Sequence, residues 1–172
     1  YLKIADFDEL SFFEKEKIAP DVVKQLDRVI SKFPNSNSAK RALFYKGYVL
    51  FHSEKYEDAE KVFLDFLKKH KSNYLTGKAY YFLAYCYSEK KDFQKAIDTL
   101  KVFEKELHDS SFAPTAYYKI GFCYEQMNDK DNAVKYYQKI IDEFKESEIK
   151  DFATKKLYLI KNDVKLTEKK YF

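Results

Sequence analysis

Between residues 36 and 53 the apolar and small positions are Ala39, Ala42, Leu43, Phe44, Gly47, Val49, Leu50 and Phe51. Their spacing of three and four lines one flank of a helix, and no breaker interrupts it. A polar stretch, Ser53 to Lys55, ends the run, and the pattern resumes at Tyr56, Ala59, Val62, Phe63, Phe66 and Leu67. Two amphipathic helices joined by so short a link are antiparallel neighbours. Followed along the chain, the same alternation predicts about nine helices, near residues 2–16, 20–33, 37–53, 55–70, 74–90, 92–107, 111–127, 129–144 and 147–163.

The pattern is periodic as well as helical. A shift of 37 residues carries Gly47 onto Ala84 and Gly121, Ala42 onto Ala79 and Ala116, and Ala59 onto Ala96 and Ala133. The same shift aligns Phe44 with Tyr81 and Tyr118, and Tyr48 with Tyr85 and Phe122. A fixed period of this length marks a stack of helix pairs, each covering its neighbour's apolar face. Ser36, Asn73, Ser110 and Ser147 share one register, and each can accept from the open amides of a helix start. Gly47, Ala84 and Gly121 are expected where two helices of a pair come closest, facing Ala59, Ala96 and Ala133. Leu43, Tyr80 and Tyr117, with Leu50, Tyr87 and Tyr124, fill the seam, and Phe63, Leu100 and Tyr137 close it from the second helix. Each such burial contributes roughly 1.5–3 kcal/mol.

Composition agrees with an all-α chain. Of 172 residues only 3 are Gly and 3 are Pro, 45% are hydrophobic and 19% aromatic. A mean hydropathy of −0.62 fits well-solvated helices. The 32 basic and 28 acidic residues are interleaved, unlike the concentrated basic face of a nucleic-acid binder. The most basic stretch, Lys161 to Lys170, also carries Asp163 and Glu168. No apolar run reaches the roughly 18 residues needed to span a bilayer. The chain begins at Tyr1 without an initiator methionine, which leads us to expect a processed or trimmed protein whose true N-terminus, with any signal peptide or lipidated cysteine, lies upstream.

Candidate chemistry is sparse. Cys86 and Cys123 occupy equivalent registers, so stacking sets them ~8–10 Å apart, beyond disulfide reach. They read as small core residues. His52, His70 and His108 are scattered, with no nucleophile or metal-ligand spacing beside them. His70 and His108 fall in solvated joints. Neither catalysis, a metal nor a cofactor is expected.

The middle repeat reads Tyr80-x2-Leu83-Ala84-x2-Tyr87 and then Ala96-x3-Leu100, and the third reads Tyr117-x2-Ile120-Gly121-x2-Tyr124 and then Ala133-x3-Tyr137. These resemble the tetratricopeptide repeat, W-x2-L-G-x2-Y followed by A-x3-F and P. The first repeat departs with Lys46 at the leucine place, none has the tryptophan, and the late proline is found only as Pro34. The resemblance implies a right-handed α-α superhelix forming a single domain over 1–172. Within it lie a degenerate first pair at 2–34, full repeats at 37–70, 74–107 and 111–144, a capping helix at 147–163 and a tail at 164–172. The links Phe33-Pro34-Asn35-Ser36 and Leu107-His108-Asp109-Ser110, with the long period, resemble bacterial envelope repeat proteins of the BamD and Tol-Pal coordinator type.

In that family the first helices of each pair line a concave groove, which the resemblance makes the expected ligand surface. The residues placed there are Phe44, Tyr48, Phe51, His52, Tyr81, Tyr85, Ser88, Glu89, Tyr118, Phe122, Glu125 and Gln126. Phe44, Tyr81 and Tyr118 serve either as framework or as rungs, while Tyr48, Tyr85 and Phe122 are the sharper candidates. Aromatic rungs offer large contact area at low entropic cost and suit a protein segment. Three functions stay open: a lipid-anchored, periplasm-facing scaffold of an outer-membrane assembly complex; a peptide-binding adaptor, there or in the cytoplasm, that stabilises one partner; and a cell-division or cell-wall coordinator.

Overall fold

A computed structural model describes residues 7, 9–71, 74–107 and 112–162. Among these the regular structure is entirely helical: α1 (Phe12–Lys32), α2 (Asn37–His52), α3 (Tyr56–Lys69), α4 (Thr76–Glu89), α5 (Phe93–Leu107), α6 (Ala113–Gln126), α7 (Lys130–Glu143) and α8 (Ile149–Lys161). The chain divides into two compact units, Tyr1–Thr99 and Leu100–Phe172, the boundary falling within α5. In the first unit α1 packs on α2, α2 on α3, and α3 on α4; in the second α6 packs on α7 and α7 on α8.

Where a break was expected between a helix near 2–16 and one near 20–33, the described residues show none, and residues 1–6 and 8 lie outside them. α1 runs unbroken through Pro20. An internal proline removes one backbone bond and crowds the preceding turn. Ile18, Ala19, Val22, Val23 and Leu26 nevertheless keep one apolar stripe across it, packed with Phe7 and Val49. Burial of that stripe outweighs the lost bond. At the start of the helix the Ser11 hydroxyl (2.6 Å) and amide (2.9 Å) both donate to Glu14 Oε2, and these two bonds, the hydroxyl's first, hold the Glu14 carboxyl below its usual range.

The link between the helices of each pair is built the same way three times. Glu54, Lys91 and Asn128 have φ of 56°, 62° and 60°, and they are 37 residues apart. The following amides, of Lys55, Asp92 and Asp129, donate to the carbonyls of Leu50, Tyr87 and Tyr124, each at 2.9 Å. A left-handed residue followed by such a bond is the Schellman closure of a helix.

Of the four expected caps, Ser36 accepts from Ala39 N at 3.0 Å, and Ser147 Oγ accepts from Ile149 N at 3.2 Å. Asn73 and Ser110 lie outside the described residues; α4 and α6 begin a few residues later, α6 with Pro114 in its first turn. Asp129 caps α7, accepting from Asn132 N at 3.1 Å.

The expected small-residue seam is present, with a different facing partner. Gly47 and Gly121 are buried, and a Cβ on them would stand 2.8 Å from the Phe63 ring and 2.7 Å from the Tyr137 ring. The close neighbours are therefore these rings, one helical turn beyond Ala59 and Ala133. The alanines are themselves fully buried.

Candidate protein-binding face

In the first unit the aromatic residues of α2 and α4 form a connected set. Phe51 lies 5.3 Å from Tyr85, 5.6 Å from Tyr56 and 5.1 Å from His52, centroid to centroid. Tyr81 lies 5.7 Å from Tyr85. Phe51, His52, Tyr81 and Tyr85 are half-buried, and Glu89, which ends α4, is exposed. Burial raises the Tyr81 hydroxyl well above the ordinary tyrosine range, and raises that of Tyr56 to about 12.

Two expected rungs are placed otherwise. Phe44 is 2% exposed and packs between Phe63 and Phe66 of α3, so it belongs to the core. Tyr48 touches His52 at 4.3 Å but also packs on the Phe7, Ala19 and Val49 cluster, so α1 takes up part of its surface. Ser88 is buried as well. The centre of the set is a residue the groove list omitted: Phe82 contacts Phe44, Tyr48, Phe51, His52 and Phe63. Its register, Tyr45, Phe82 and Lys119, changes type in the third repeat, which hid it from the pattern of shared aromatics.

In the second unit Tyr118 is engaged by rings, and Phe122 and Glu125 by charge. Tyr118 is half-buried, 5.4 Å from the Tyr137 ring and 6.5 Å from Phe152. Phe122 has Lys119 Nζ 4.8 Å from its centroid and Lys156 Nζ 5.9 Å away. Glu125 accepts from the Tyr137 hydroxyl and from Lys156 Nζ, both at 3.0 Å, which joins α6 to α7 and α8. It acts as an internal tie. Gln126 is exposed.

Cys86 and Cys123 are fully buried thiols, not joined in a disulfide, and burial pushes Cys86 up to about 12. His70 was expected in a solvated joint; its ring packs 5.2 Å from Phe66, and burial with Lys40 and Lys69 lowers its pKa. His108 lies outside the described residues. Among the described residues no three His, Cys, Asp or Glu could hold a metal ion, and no helix is long and apolar enough to cross a membrane.

Paired antiparallel helices at a 37-residue period, closed by identical turns, define a helical-repeat protein. Tetratricopeptide repeat patterns match residues 23–70 and 53–106, and again 115–147. The chain belongs to the tetratricopeptide repeat family. Its fold is similar to that of PcrH from Pseudomonas aeruginosa, with TM-score 0.65 and 15% identity over 73% of this chain and 94% of that one. The type III secretion translocator chaperone SycD of Yersinia enterocolitica is similar at TM-score 0.63 and 18% identity, over 76% and 98% of the two chains. MamA is similar at TM-score 0.61 and 21% identity, over 94% and 95%. These likenesses are of fold. No curated protein matches the sequence.

Proposed function

We infer that this chain is a non-catalytic scaffold that holds a segment of a partner protein against the aromatic face of α2 and α4. The connected, half-buried set of Phe51, Tyr81 and Tyr85 carries the reading. Such rings offer large apolar contact area at low conformational-entropy cost, which suits a protein segment. Phe122 and Glu125 are assigned a supporting part, because both already hold intramolecular partners.

The partner is proposed to be a cell-envelope protein, with the chain at the periplasmic side of the outer membrane. Support comes from the joint at Phe33 to Ser36, where the Ser36 hydroxyl donates to the Phe33 carbonyl at 2.8 Å, and from its resemblance to BamD-type joints. A second reading, an adaptor dedicated to one partner, is favoured by the fold of a translocator chaperone.

A photo-crosslinking amino acid placed at position 85, with one at the exposed position 64 as control, tests this in the cell of origin. One protein captured at 85 and absent at 64 is expected. An envelope protein supports the first reading, and a soluble one the second. Equal capture at both positions would sink the assignment of this face.

A further inference from the structure

The corner of the aromatic face formed by Phe51, Tyr56 and Tyr85 differs from the rest in its surroundings. The Tyr85 ring stands at 86° to Phe51 and the Tyr56 ring at 63°, so two rings flank a third instead of stacking on it. All three are half-buried and thus partly open. Two carboxylates border them. Glu89 is one helical turn beyond Tyr85 on α4. Glu54 is the left-handed residue of the turn, two positions before Tyr56. Both are exposed, and both act electrostatically on the Tyr56 hydroxyl. Among the described residues neither carboxylate is engaged in an ion pair, while the adjacent Lys90 is committed to Glu60.

Aromatic faces attract cations through the ring quadrupole, and the attraction grows when water is displaced. Carboxylates at the rim add a charge-matched hydrogen-bond partner. The geometry points to a cation-accepting subsite: Phe51, Tyr56 and Tyr85 seat the arginine or lysine side chain of a partner segment, and Glu54 and Glu89 pair with its charge. The left-handed turn has a part in this, since Glu54 is its left-handed residue, two positions before Tyr56, and its charge acts on the Tyr56 hydroxyl. This assignment rests on the reading of the face as a protein-binding surface and names the partner's chemistry at one point on it.

The probes are N-acetyl-arginine amide and its neutral isostere N-acetyl-citrulline amide, titrated into the full chain with the tyrosine ring signals followed by NMR. Arginine amide is expected to move the Tyr56 and Tyr85 signals about fivefold more than citrulline amide does at equal concentration. Glu54→Gln with Glu89→Gln should remove most of that difference while circular dichroism stays unchanged. Equal response to the two probes, or an undiminished arginine response in the glutamate variant, overturns the subsite.

A second arm separates failure of the subsite from failure of the face. A displayed random dodecapeptide library is selected on the full chain, and the winners are retested on Tyr85→Ala and on the glutamate variant. Peptides that need a basic residue and weaken on both variants support the subsite. Peptides that weaken on Tyr85→Ala alone, and tolerate citrulline or norleucine for their basic residues, overturn the subsite and leave the face standing. Selection of no peptide, or of peptides indifferent to Tyr85→Ala, overturns both.

Discussion

Gly121 has no side chain because the Tyr137 ring occupies the place where one would go. A Cβ there would stand 2.7 Å from Cε1 of a ring that is fully buried and whose hydroxyl donates to Glu125. Gly121→Ala is therefore expected to lower stability by about 1–3 kcal/mol. The middle repeat carries Ala84 and Leu100 at the corresponding places, which suggests the remedy. Tyr137→Leu added to Gly121→Ala should cost less than the sum of the two single changes, and urea unfolding of the four proteins in the cycle measures it. Strict additivity would contradict the contact. The small-residue register was legible in the sequence, but its facing partner was not. Periodicity fixes which side of a helix faces inward and leaves its height along the axis open, so Ala133 was named where Tyr137, one turn on, makes the contact. Phe44 shows the same limit: its register could serve framework or groove, and only the rings of Phe63 and Phe66 around it decide for framework.

At the scale of elements, the turns at Glu54, Lys91 and Asn128 have one geometry and three side chains. Residues with a Cβ are disfavoured in the left-handed region, glycine is not, and asparagine is the best tolerated of the rest. Lys91→Gly is expected to stabilise the chain by about 1 kcal/mol, read as a higher melting temperature, whereas Asn128→Ala should lower it. A lower melting temperature for Lys91→Gly would contradict the closure drawn from the Asp92 amide. The shared turn was invisible beforehand because glutamate, lysine and asparagine read only as a polar link. α1 failed to show for the opposite reason. Pro20 is a strong local signal for a break, and the apolar stripe from Ile18 to Leu26 overrides it through packing that the local signal does not contain.

For the whole molecule, acid is the expected weakness. Serine hydrogen bonds hold Glu14, pairing with Lys95 holds Asp92, and bonds from Asn132 hold Asp129 below the usual carboxylate range, each at a helix start. A group whose folded pKa is lowered stabilises the fold fully above its unfolded value, and that contribution disappears as pH falls through the folded value. The melting temperature should be level above about pH 5 and decline toward pH 3; a curve flat to pH 3 would contradict these bonds. At this scale the sequence was most informative, because the 37-residue period specifies the family whichever residue occupies a given place. One departure from it has a further consequence. Lys46, at a place where the other repeats bury Leu83 and Ile120, reaches Asp27 of α1 at 2.6 Å. That pair makes the first repeat specific to its own leading helix, so the modules of this array are not interchangeable. A graft that sets the first repeat behind any other helix would strand a half-covered ammonium without its acid, whereas the later repeats carry an apolar side chain at that place.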